Sequence, residues 1–196
     1  MSTDMQDYVT NLLQAEERAQ TAKEEAEDMS RIAYQDELTR VKSKAAYALK
    51  RDELNEGIQT YGVEFALVMV DLNDLKLVND TYGYKHGDDY LMGSCTLLCD
   101  TFGHSPVFRI GGDEFVVVLE GRDYAHRDEL LASVQKRFQD ARDDTGKEPW
   151  ERFSAAVGMA VYDKATDKTY EDVFSRADQA MYAQKEQMKR RSDQSR

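Results

Sequence analysis

Apolar positions along this chain keep two rhythms, and each change of rhythm marks an element. From residue 1 to about 35, Tyr8, Leu12, Ala15, Ala19, Ala22, Ala26, Met29 and Ala33 recur in steps of four and three, with no glycine or proline among them. That spacing is a heptad seam, and its small alanines would let two helices approach closely. It predicts one long helix that pairs as a weak parallel coiled coil. A single solvated helix is the alternative, because Ala, Glu and Gln favour helix unaided. Residues 36–191 then read as a globular domain and 192–196 as a polar tail. Helices are expected over about Lys44–Ile58 (Tyr47, Leu54 and Ile58 inward), Asp89–Thr101 (Leu91, Met92, Cys95, Leu98 and Cys99 inward), Asp123–Arg142 (Leu130, Leu131, Val134 and Phe138 inward) and Tyr170–Lys189. Between them lie strand-like runs at Phe65–Val70, Pro106–Phe108, Val116–Leu119 and Arg152–Val161, the last interrupted by Gly158. Strands interleaved with helices and one central hairpin give an α+β fold, a mainly antiparallel sheet covered by helices.

Composition narrows this picture. A length of 196 residues suffices for one domain with a proper core and an appendage. The net charge of −12 argues against a binder of nucleic-acid polymers or anionic membranes, either of which needs a basic face. A nucleotide substrate stays open, since metal ions can supply the local positive charge. No apolar run approaches the roughly 20 residues of a membrane span and no signal peptide is visible, so a soluble cytoplasmic protein is expected. Cys95 and Cys99, one helical turn apart, are expected as two small core residues in a reducing compartment rather than as a metal or redox pair.

The candidate chemistry sits around Arg109-Ile110-Gly111-Gly112-Asp113-Glu114-Phe115, between two strand-like runs. Paired glycines there predict a hairpin whose turn uses their positive φ. Two acids follow at once, and adjacent strand residues point to opposite faces, so one carboxylate can face a site while the other faces elsewhere. Asp71 ends the buried run Phe65–Val70. An aspartate at a strand end beside an acidic hairpin suits Mg²⁺ held against a nucleotide's phosphates.

These residues resemble the diguanylate cyclase catalytic domain, the GGDEF family, whose signature stands at Gly111–Phe115. The likeness runs from about Asp36 to about Arg191 and rests on several separated motifs. Asp36-Glu37-Leu38-Thr39 resembles the family's opening Asp-x-Leu-Thr, but its usual continuation Gly-Leu-x-Asn-Arg is here Arg40-Val41-Lys42-Ser43-Lys44. Asp71-Leu72-Asn73-Asp74-Leu75-Lys76 resembles Asp-x-Asp-x-Phe-Lys, with Asn73 for the second acid and Leu75 for the aromatic. Asn79, Asp80, Gly83, Gly87 and Asp88 follow Asn-Asp-x-x-Gly-His-x-x-Gly-Asp, with Tyr84 in place of the histidine. Arg176–Lys185 matches Arg-Ala-Asp-x-Ala-x-Tyr-x-Ala-Lys. The inhibitory Arg-x-x-Asp motif is absent at Phe102–Ser105, so no feedback through such a site is expected.

The resemblance implies a polymerase-palm-like, ferredoxin-like core and the making of cyclic di-GMP and two pyrophosphates from two GTP molecules, one held by each domain of a homodimer. It implies two Mg²⁺ ions per site, or Mn²⁺ in their place, on Asp71, Leu72 and Asp113. Asp113 and Glu114 would be catalytic, helping to deprotonate a 3′-hydroxyl. Backbone at Leu72 and Leu75 would hold phosphates with Lys185 and Lys189, although the family commonly has arginine at the latter. Asn79 and Asp88 would read guanine, whose N1–H and N2–H suit a carboxylate. Two other readings stay open: a non-enzymatic module that binds GTP or cyclic di-GMP or dimerises, and a cyclase of other specificity. No upstream sensor is legible.

Overall fold

The computed structural model describes the backbone of residues 3–60 and 62–194, and the side chains of 13–30, 32–60 and 62–191. Its elements run α1 (Thr3–Tyr34), α2 (Lys44–Thr60), β1 (Ala66–Leu72), α3 (Leu75–Tyr82), α4 (Tyr84–Thr101), β2 (Val107–Arg109), β3 (Glu114–Leu119), α5 (Gly121–Ala125), α6 (Arg127–Asp143), β4 (Ala155–Val161) and α7 (Tyr170–Gln194). The sheet order is β2-β3-β1-β4 with every neighbouring pair antiparallel. This is the expected α+β architecture, a split β-α-β with the β2–β3 hairpin folded back beside β1.

Alternation along the strands builds two cores. Val68, Val70 and Leu72 of β1 join Phe115, Val117 and Leu119 of β3 on the face that packs Val78, Leu91, Cys95, Leu98, Val134 and Phe138 from α3, α4 and α6. Leu67 and Met69 join Val116 and Val118 on the other face, under Leu54 of α2 and Val173, Ala177 and Met181 of α7. β1 is thus covered on both sides, which is why its sequence is an unbroken apolar run rather than an alternating one. On the outer edge of β4, Gln135 donates to the Val157 carbonyl at 3.2 Å and Gln184 accepts from the Val157 N–H. Side-chain amides there satisfy the bonds a further strand would make.

Four expectations are corrected. Gly111 and Gly112 do not adopt positive φ; among the described residues Gly62, Gly83, Gly121, Arg40 and Asp74 do. The loop Ile110–Asp113 spans four residues, and such loops close without the mirror-image turn of a two-residue hairpin. Met92 and Cys99 are exposed, while Leu97 is buried in their place. Each follows a core residue, Leu91 or Leu98, by one position, and about 100° of helical rotation carries it off the stripe. The helix expected over 123–142 is two helices meeting at His126, and α4 begins at Tyr84 rather than Asp89. α3 was legible only as a motif-bearing segment.

In α1 the seam residues Ala15, Ala19, Ala22, Ala26, Met29 and Ala33 are exposed, and Tyr8 and Leu12 lie outside the described side chains. α7 runs through residues expected as tail, to Gln194. Among the described residues, no helix is long and apolar enough to cross a membrane.

Candidate active site

The register of β1 against β3 sets Asp71 directly opposite Glu114. Directly paired residues share a sheet face, so both carboxylates stand on the side that α7 covers. Along α7 the buried positions Ala177 and Met181 step by four to Lys185, which therefore emerges from the same stripe just past the sheet's end. Its ammonium meets Asp71 Oδ1 at 2.6 Å, with the Asp71 side chain only 14% exposed. Asp113, one residue before Glu114, belongs to the opposite face, and its carbonyl accepts the Leu72 N–H at 2.9 Å. It lines a cleft of about 720 Å³ together with Leu72, Asn73, Leu75, Lys185 and Lys189.

The turn after β1 is pinned by hydrogen bonds that sequence reasoning did not find. The Tyr90 hydroxyl, buried in α4, donates to the Asn73 carbonyl at 2.8 Å and accepts from the Ser154 N–H at 2.7 Å. The Asn73 N–H donates to the Ser154 carbonyl at 2.8 Å, and its side-chain amide donates to Ser154 Oγ at 3.0 Å. Asp74 then takes φ 62° and opens α3 with no side-chain cap. The first N–H groups of a helix lack intrahelical partners, and here Leu75, Lys76 and Leu77 carry them along the cleft wall.

The glycine turn is held from below by Arg109. Its Nη2 donates to the Gly112 carbonyl at 2.8 Å, while Nη1 donates to Asp36 at 3.1 Å. Asp36 also accepts from the Thr39 N–H at 2.8 Å and the Thr39 hydroxyl at 2.7 Å. Burial alone would raise the Asp36 carboxyl, but the bonds from Thr39 and the Arg109 guanidinium hold it below its ordinary value. The segment after α1 is thereby tied to the Gly111–Phe115 turn; at Gly111 a Cβ would lie 2.5 Å from Glu114 Oε2, so glycine there leaves space for that carboxylate. Arg109 was read from the sequence only as the residue before the turn.

Asn79 and Asp88 do not line this cleft. Asn79 sits on α3, half-buried against α4, where its carboxamide fills the place a Gly87 side chain would need. Asp88 is exposed inside α4, not at its cap. Gly83, at φ 89°, joins the two helices, and Trp150 packs on Tyr82 and His86 with ring centroids 5.2 and 3.9 Å away. Lys189 is exposed and engaged with Glu186 at 3.1 Å.

The donor set suits Mg²⁺, which takes one or two carboxylates and completes its shell with water and phosphate oxygens. Asp71, Asp113 and the Leu72 main chain offer hard oxygens of this sparse kind, and the Lys185 ammonium on Asp71 shows that this position accepts a cation. Among the described residues no three His, Cys, Asp or Glu side chains form a closed cage.

Known proteins resemble this chain in sequence and in fold. The family model "Diguanylate cyclase, GGDEF domain" matches residues 33–191. The chain is 30% identical over 164 residues to the bifunctional diguanylate cyclase/cyclic di-GMP phosphodiesterase MucR of Pseudomonas aeruginosa, covering 82% of this chain and 23% of that protein. It is 27% identical over 125 residues to the diguanylate cyclase DosC of Escherichia coli, covering 63% of this chain and 27% of that protein. The chain thus spans about a quarter of the length of each. Its fold is similar to the coiled coil and GGDEF domain of DgcB from Caulobacter crescentus, with TM-score 0.76 and 20% identity over 91% of this chain and 94% of that one. The diguanylate cyclase SiaD of Pseudomonas aeruginosa gives TM-score 0.69 and 22% identity over 94% of this chain and 70% of that one. With its signature turn, its sheet order and the family model all in agreement, the chain belongs to the GGDEF family of diguanylate cyclase domains.

Proposed function

We propose that the chain is a diguanylate cyclase, condensing two GTP into cyclic di-GMP with release of two pyrophosphates. The observation that carries this reading is the register placing Asp71 opposite Glu114, with Asp113 at the adjoining cleft and Lys185 bridging from α7. The free N–H groups opening α3 face a triphosphate in that cleft, and Lys185 turns from Asp71 to phosphate as substrate enters. Asp71, Asp113 and the Leu72 main chain hold Mg²⁺, which when bound neutralises the triphosphate and stabilises charge at the α-phosphate.

In each of two equivalent steps, a 3′-hydroxyl oxygen bonds to the α-phosphorus of the opposite GTP. The hydroxyl proton passes to Asp113 or Glu114, and the α–β phosphate bond breaks to release pyrophosphate. Asn79 and Asp88 hold the guanine beyond α3. One domain carries one GTP, so two must meet face to face, and holding the two reactants in that alignment supplies much of the rate. In this reading α1, with its heptad spacing of small apolar residues, is the element that sets the approach.

The test is incubation of the purified chain with GTP and Mg²⁺, with products identified by mass. Cyclic di-GMP is expected, and it is expected to vanish in Asp113→Ala with the fold retained. GTP bound without turnover at high protein concentration would sink the cyclase reading in favour of a nucleotide-binding module. Competition with ATP checks the guanine assignment.

A further inference from the structure

Lys189 is weakly placed for the role its position implies. It is exposed, it pairs with Glu186 on the preceding turn, and a lysine lacks the forked contact that arginine makes with phosphate. A guanidinium nevertheless reaches the cleft from another element. Arg142, in the last turn of α6, lines the same cleft as Asp113, Lys185 and Lys189, and it also lines the groove of about 800 Å³ between α6 and α7. Within the described residues its only partner is the adjacent Asp143, which accepts from Nε at 2.9 Å. The rest of the fork is uncommitted. That neighbour pair is exposed on both sides, 44% and 55%, so neither fold nor helix depends on it.

We propose that Arg142 is a phosphate-binding residue of this site, supplying from α6 the forked contact that Lys189 cannot make. The inference rests on the GTP reading and deepens it. The ligand group it takes is the terminal phosphates of the nucleotide and the pyrophosphate that leaves, not the base. Lys76, Lys185, Lys189 and Arg142 line this cleft with the three acids Asp74, Asp80 and Asp113, so the lining is slightly positive in a chain carrying −12. A planar fork binds two phosphate oxygens at once, so charge and geometry both contribute, and replacing it by lysine keeps only the first.

The experiment is calorimetric titration of the full chain, with Mg²⁺ present, against three probes: a GTP analogue with an uncleavable α–β bridge, inorganic tripolyphosphate, and GMP. Arg142→Ala is expected to weaken the first two by about tenfold or more, and GMP by less than about twofold. Arg142→Lys is expected to fall between. Lys189→Arg introduced into Arg142→Ala is expected to restore most of the loss, which no merely structural role for Arg142 would allow. Equal weakening of all three probes, or none, overturns the proposal. If wild type binds the GTP analogue and makes cyclic di-GMP while Arg142→Ala binds as wild type does, only this proposal fails. If wild type binds neither the analogue nor tripolyphosphate, the GTP reading falls with it.

Discussion

One methyl group at position 158 should unseat the helix that carries Lys185. Gly158 pairs with Met69 across β1 and β4, and α7 lies directly over it. An alanine Cβ would stand 2.6 Å from the Ala177 carbonyl oxygen and from the Ala180 carbonyl carbon, and nearer still to the Met181 nitrogen. Ordinary contact begins near 3.4 Å, so α7 has to retreat by roughly 0.8 Å or more. All three obstacles are main chain, and no rotamer change relieves them. Gly158→Ala should therefore cost about 3 kcal/mol, the upper part of the range for overpacked cores. In a chain of this size that lowers Tm by roughly 6–12 °C. Denaturant unfolding and thermal melts measure it directly. Turnover should fall as well, because the same retreat draws Lys185 away from Asp71. Gly112→Ala is the control: its Cβ meets nothing within 4 Å, and its stability should change by less than about 0.5 kcal/mol. A loss below about 1 kcal/mol in Gly158→Ala would refute the close approach on which the placement of Lys185 rests.

Arg40 occupies φ 62° where the family commonly has glycine, so Arg40→Gly should stabilise the chain by about 0.5–1 kcal/mol, read as a higher denaturation midpoint. Asp36 has its carboxyl held low by Thr39 and Arg109 in the fold. Its stabilising contribution is complete above the unfolded carboxyl's range, near pH 4, and is lost as pH falls through the lower folded value. Wild type should accordingly exceed Asp36→Asn in stability at neutral pH, with the gap closing only below about pH 4; a gap independent of pH would refute the assignment.

The long first helix, the inward stripes of α2 and α6 and the apolar run of β1 were legible because each is a local pattern of residues along the chain. The acidic turn and the separated motifs were legible as letters, and the resemblance they carry led to the family. Other features depended on partners far away in sequence. Asp71 meets Glu114 only through the antiparallel register, and Lys185 reaches Asp71 across 114 positions because Gly158 lets α7 sit on β4. Arg109 became a brace only when Asp36 and Gly112 were brought to its two ends. Tyr90 and Ser154, which pin the turn after β1, gave no signal in the sequence, since a tyrosine in a helix is as readily core as hinge. The paired glycines misled in the other direction, because a turn's torsions follow from the loop length between paired strands and not from its residues alone. Periodicity is written along the chain and can be read there. The distances between carboxylate, ammonium and guanidinium are set by packing, and packing exists only once the elements have met.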